Sequence, residues 1–141
     1  ASHHVVTVTR RREVVSLVDR ATVERWLERY VEAWRTYEHA DIVALFSSDA
    51  RYRYDPYDKP VVGNDAIARS WVEPSRKDDP GTYDPDYHVI AVDGDVAVAT
   101  GHTHYFDADG NVDRTYDNCF IMRFTPEGLC REFTEFYMKR P

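Results

Sequence analysis

Hydrophobic residues early in the chain recur at helical spacing. Across residues 22–34 they fall at three- and four-residue steps, which predicts an amphipathic helix with Thr22 at its N-cap. A shorter periodic stretch at residues 42–46 and another after Gly63 predict a second and a third helix. Alternation at residues 50–54 predicts a strand between these two helices.

After Tyr87 the pattern changes to alternating strands joined by tight turns. The turn signals lie at Asp93-Gly94, at residues 108–110 and at residues 126–128. Helices followed by an antiparallel meander are typical of the α+β class.

Composition places this pattern in a single soluble domain. The chain has 141 residues, of which 43% are hydrophobic and 13% aromatic, enough for one packed core. Residues 1–20 show no sustained period and are interpreted as an N-terminal arm, with residues 21–141 as the folded domain. A net charge of −7 argues against nucleic acid, and no apolar run has the length of a membrane span or a signal peptide. We therefore expect a cytoplasmic protein without nucleic-acid or membrane partners.

The turn types also predict which side chains share a face of the sheet. If the last two turns are three-residue loops with a glycine bulge, His102 lies opposite Tyr116, and Tyr116 lies opposite Met138. Asn118 then lies between Thr100 and Phe136. The even-numbered positions would form the face covered by the helices, and this face also includes His104 and Phe120.

Several local motifs resemble the SnoaL-like group of the nuclear transport factor 2-like superfamily. The matching stretches are residues 29–34, 42–46 followed by 48–50, 63–67, 93–97 and 128–138. The resemblance implies a cone-shaped, curved antiparallel sheet with three N-terminal helices enclosing a pocket, also described as a cystatin-like α+β roll. It also implies a homodimer.

The superfamily contains isomerases, dehydratases and binding modules, so residues must be compared one by one. The helix-one tyrosine of ketosteroid isomerases resembles Tyr30, but the base position falls on Tyr54 or Asp55 and the second acid on Phe120. Scytalone dehydratases are partly similar at Tyr54, His88 and Asn118.

Three histidines carry the strongest chemical signal. An imidazole titrates near neutrality and can both accept and return a proton, which makes His102 and His88 the candidate acid and base. A two-residue turn at Asp93-Gly94 would direct His88 outward, whereas a longer turn would direct it inward. A metal bound by His102, His104 and His88 is a weaker interpretation, because no acidic partner is well placed.

The remaining candidates are aromatic or polar residues that would line the pocket. Tyr54 and Tyr30 are candidate partners for a carbonyl or hydroxyl group, and Asn118 would orient the ligand. The candidate substrate-binding residues are Trp34, Tyr52, Asp55, Trp71, His104, Tyr116, Phe120, Phe136 and Met138. Many of these rings could equally be ordinary core residues.

The sequence thus predicts a protein that binds a small hydrophobic, oxygenated molecule. Acid–base catalysis of the dehydratase, isomerase or cyclase type would need neither a metal nor an organic cofactor. The alternative is a non-catalytic module of the same fold that binds a small molecule or mediates dimerisation.

Overall fold

The computed structural model describes residues 18–141, so the predicted arm at residues 1–20 lies almost wholly outside the described residues. The helices are α1 (Arg20–Thr36), α2 (His39–Val43) and α3 (Asn64–Trp71), and the strands are β1 (Phe46–Arg53), β2 (Val61–Val62), β3 (Tyr83–Asp93), β4 (Val96–Phe106), β5 (Val112–Phe124) and β6 (Cys130–Lys139). Among these helices, none combines the length and hydropathy that a membrane crossing requires.

Helix α1 begins earlier than predicted because a different residue caps it. The carboxylate of Asp19 accepts a hydrogen bond from the backbone N–H of Thr22 at 2.7 Å, so Asp19 is the N-cap and Thr22 lies within the first turn. The prediction of Thr22 as the cap is wrong by three residues. The inward face of the helix carries Val23, Trp26, Leu27, Tyr30 and Ala33, all buried.

All six strands form one curved sheet in the order β2-β1-β6-β5-β4-β3. The predicted antiparallel meander is found in strands β3 to β6. Strand β1 joins this meander in parallel with β6, and β2 pairs antiparallel with β1. The fold is therefore the predicted α+β arrangement of a curved sheet and three helices.

Two β-bulges make the predicted register wrong. Next to the turns the predicted pairing holds, with Phe106 opposite Val112 and Phe124 opposite Cys130. One extra residue then follows, Asp113 in β5 and Arg131 in β6, and it displaces all later pairs by one position.

A displacement of one residue exchanges the two faces of a strand. Strand β5 keeps its even-numbered residues inward, as predicted, but β4 and β6 direct their odd-numbered residues inward. The observed neighbours of His102 and Asn118 are accordingly Asp117 and Gly101 across the β4–β5 pair. Burial of Ala99 on β4 and Phe133 on β6 agrees with this orientation.

An aromatic cluster fills the core between the helices and the inner face of the sheet. The ring of Trp26 stacks on Tyr30 with centroids 5.3 Å apart, and its indole N–H donates to the carbonyl of Leu45 at 2.8 Å. Phe133 stacks on Tyr30 with ring centroids 5.4 Å apart, and it lies almost parallel to the ring of Tyr52 with centroids 4.5 Å apart. The cluster forms the solid end of the cone.

Gly101 is required where β3 and β4 approach most closely. A Cβ at this position would lie 1.9 Å from the carbonyl oxygen of Asp86. We expect the Gly101→Ala substitution to lower the free energy of unfolding by roughly 2 to 3 kcal/mol, because β3 must move away. Urea denaturation checks this, with Thr100→Ala as the neighbouring control. Equal stability of the two variants would contradict the expectation.

Candidate functional site

A cavity of about 380 Å³ opens at the wide end of the cone. Its wall is formed by helix α1, the ends of β1 and α3, the segment that follows α3, and the inner face of strands β3 to β6. Eight of the residues predicted for the site line it: Tyr30, Trp34, Tyr52, Tyr54, Asp55, Trp71, Tyr116 and Asn118. Tyrosine is the most frequent residue of the wall.

The three histidines lie on the opposite face of the sheet. The bulge at Asp113 turns His102 and His104 outward, where their rings lie 4.7 Å apart. His88 shares that face, is 72% exposed, and contacts the carboxylate of Asp86 at 3.0 Å. The prediction that His102 and His104 face the pocket is wrong, and of the two alternatives for His88 the outward one is found. Within residues 18–141, no histidine, cysteine and carboxylate side chains form a group of three that could hold a metal ion.

Three further residues that the sequence predicts as ligand-binding do not line the cavity. The bulge at Arg131 turns Phe136 and Met138 outward, where they are 41% and 75% exposed. Phe120 points inward, as predicted, but it is buried in the aromatic cluster beneath the cavity and packs against Tyr87 and Phe133.

The bulge at Arg131 instead brings Glu135 to the cavity wall. Its carboxylate oxygen Oε1 accepts a hydrogen bond of 2.9 Å from Nδ2 of Asn118. Burial raises the pKa of Glu135 to about 7, although the bond from Asn118 acts in the opposite direction. A carboxyl group with this pKa is present in both protonation states near neutrality, as a general base or acid requires.

Asn118 is held by a chain of hydroxyl groups. Its Oδ1 accepts a hydrogen bond of 3.0 Å from the hydroxyl of Thr103, which is buried. The Thr103 hydroxyl also contacts the phenol of Tyr87 at 2.5 Å. Thr103 and Glu135 belong to the inward positions that the predicted register did not identify.

The phenols of the two predicted tyrosines are already engaged. Tyr30 pairs with Tyr52 at 3.1 Å, and burial raises the pKa of both phenols. Tyr54 contacts Ser70 at 2.7 Å, and the Ser70 hydroxyl in turn donates to the carbonyl of Ile67 at 2.7 Å. Because that hydroxyl proton is committed, Tyr54 must donate its own proton to Ser70.

Charged side chains surround the mouth of the cavity. The guanidinium of Arg76 lies 3.7 Å from the ring centre of Tyr54, and that of Arg114 lies 4.3 Å from the ring centre of Tyr105. The carboxylates of Asp55, Asp58 and Asp78 also line the opening. Among the residues that the structure describes, neither these arginines nor another cation forms an ion pair with Glu135, so its charge is not offset when it ionises.

The pKa of Glu135 has a consequence for stability. Its value in the folded protein is above the usual 4.5, so the protonated carboxyl favours the fold, and this contribution is lost as the pH rises through about 7. Glutamine does not titrate here, so as the pH rises from 5 to 8 the free energy of unfolding of Glu135→Gln should increase relative to that of the original protein. We expect this relative increase to be on the order of 3 kcal/mol. Urea denaturation of both proteins at pH 5 and at pH 8 measures this change. The same difference in stability between the two proteins at both pH values would contradict the expectation.

Comparison with known proteins agrees with this architecture. Residues 27–133 match the model of a protein family described as "SnoaL-like domain". No curated protein sequence matches the chain.

Three solved structures are similar in fold. A candidate ketosteroid isomerase from Kribbella flavida superposes with a TM-score of 0.64 at 15% identity, over 87% of this chain and 82% of that one. A protein of unknown function with a cystatin-like fold, from Methylobium petroleophilum, gives a TM-score of 0.59 at 21% identity, over 89% and 81%. An NTF2-like protein of unknown function from Cytophaga hutchinsonii gives 0.59 at 17% identity, over 84% and 98%. Since the family model matches most of the sequence and these folds agree with it, the chain belongs to the SnoaL-like domain family.

Proposed function

We propose that the protein binds a small hydrophobic, oxygenated molecule in the cavity and catalyses proton transfer on it with Glu135 as the general base. The observation that carries this proposal is a carboxyl group of pKa about 7 at the wall of an aromatic cavity. Such a group accepts a proton from a bound molecule and returns it at another position, as dehydration, isomerisation and cyclisation require.

The surroundings of Glu135 support this role. The bond from Asn118 engages Oε1, which leaves Oε2 for the ligand because Oε2 has no hydrogen-bond partner within residues 18–141. The hydroxyl of Tyr116 likewise makes no hydrogen bond within the described part of the chain, and it can donate to a carbonyl or a leaving hydroxyl group. These groups suffice for proton transfer without a cofactor. Homodimerisation and a cytoplasmic location stay predictions.

A screen of simple substrates tests the proposal. Hydrophobic β-hydroxy ketones and enolisable ketones are incubated in D₂O, and NMR follows deuterium incorporation and loss of water. We expect at least one compound to react faster than in buffer, with a rate that rises with pH to a plateau above about 7, because the ionised form of Glu135 is the base. If several compounds raise the melting temperature and none reacts, the protein is a binding module.

A further inference from the structure

The hydrogen bonds behind Glu135 can run in only one direction when its carboxylate is ionised. An ionised carboxylate only accepts, so Nδ2 of Asn118 must face Glu135 and Oδ1 must face Thr103. Oδ1 is an acceptor, so the Thr103 hydroxyl must donate to it. The phenol of Tyr87 must then donate to Thr103. The protons that link these four side chains therefore all point toward Glu135, and Oε2 offers only lone pairs to a ligand.

A second acceptor faces the cavity from β1. Because Tyr54 donates its proton to Ser70, its phenol oxygen offers only lone pairs to a bound molecule. Oε2 of the ionised Glu135 and the phenol oxygen of Tyr54 can thus only accept hydrogen bonds from a ligand.

The donors near the cavity do not change this acceptor character. The indole N–H of Trp71 lacks a partner within residues 18–141, but its nitrogen is buried and therefore not accessible to a ligand in the cavity. The guanidinium groups of Arg76 and Arg114 stack on tyrosine rings at the mouth and do not contact Glu135. The hydroxyl of Tyr116, which makes no hydrogen bond within the described residues, can donate to another oxygen of the ligand. At Glu135 itself the wall only accepts, so a ligand group bound there must donate.

We propose that the ligand presents a hydroxyl group as a hydrogen-bond donor to Oε2 of Glu135, with the phenol oxygen of Tyr54 as a second acceptor in the same wall. This inference rests on the proposed function, because it concerns the same cavity. It narrows the ligand class to hydrophobic molecules with at least one hydroxyl group, and it disfavours those that offer only carbonyl or ether oxygens.

The experiment compares two ligands in two proteins. Calorimetry at pH 8.5, above the pKa of Glu135, measures the affinity of 4-ethylphenol and of its methyl ether 4-ethylanisole, which cannot donate. A hydrogen bond to a charged acceptor contributes about 1.5 to 3 kcal/mol, so we expect the phenol to bind at least about tenfold more tightly.

The Glu135→Gln variant tests whether the preference for the phenol depends on the acceptor at Glu135. Oε1 of the glutamine still accepts from Asn118, so its amide nitrogen takes the place of Oε2 and donates instead of accepting. The preference for the phenol should therefore be lost, because the oxygen of either ligand can accept from the amide, and comparing the ratio between the two proteins cancels the difference in ligand size. The same ratio in both proteins would overturn the inference and leave the proposed function intact. Failure of both ligands to bind the original protein would overturn both.

Discussion

The Glu135→Gln variant should bind ligand and lose proton-transfer activity by a factor of about 10² to 10⁴, the usual contribution of a general base. Glutamine keeps the bond from Asn118 and the volume of the side chain, but its amide does not accept a proton in this pH range. The loss is measured as the rate of deuterium incorporation under saturating substrate. The pH dependence with its midpoint near 7 should disappear at the same time.

The outer histidine supplies the control. His102→Ala removes the group that sequence patterns favour as the acid or base, but this side chain lies on the face away from the cavity. We expect its activity to stay within about twofold of the original protein. Loss of activity in His102→Ala together with full activity in Glu135→Gln would reverse the assignment.

The Phe133→Ala variant should show the largest loss of stability, about 3 to 5 kcal/mol in the free energy of unfolding. The ring is fully buried and touches Tyr52, Tyr30 and Phe120, with centroids 4.5, 5.4 and 4.9 Å away. Removing it leaves a void that the surrounding rings cannot close without breaking their own contacts. Urea denaturation followed by tryptophan fluorescence measures the change.

Phe136→Ala is the matched substitution on the same strand. Its ring lies on the outer face and is 41% exposed, so we expect a loss of no more than about 1 kcal/mol. Similar losses for Phe133→Ala and Phe136→Ala would mean that the two faces of β6 are assigned incorrectly.

Much of the fold is predictable because periodic hydrophobic patterns and turn residues are local properties. The pattern around Trp26 and Tyr30 identifies the first helix and its buried face, and Tyr52 and Tyr54 follow from the alternation of the first strand. Asn118 is placed correctly as well, since the even-numbered positions of β5 do point inward. These residues make up the part of the site that the sequence identifies.

The remainder of the site depends on two bulges, which no turn signal announces. An extra residue changes the face of each side chain beyond it, so His102 moved outward and Glu135 moved inward. One signal was available in the sequence. Phe133 and Tyr137 share a face of β6 with Glu135, and two aromatic residues on one face of a strand favour burial of that face.

The bulge at Arg131 lets the pairing of one residue decide the chemistry of the wall. If Arg131 paired with Arg123 instead of standing outside the ladder, every later residue of β6 would move to the other face, and Phe136 and Met138 would face the hollow in place of Glu135. A chain of this family without the bulge would therefore carry an apolar lining where this chain carries a basic centre. Comparing such chains requires locating the bulge before aligning side chains by type.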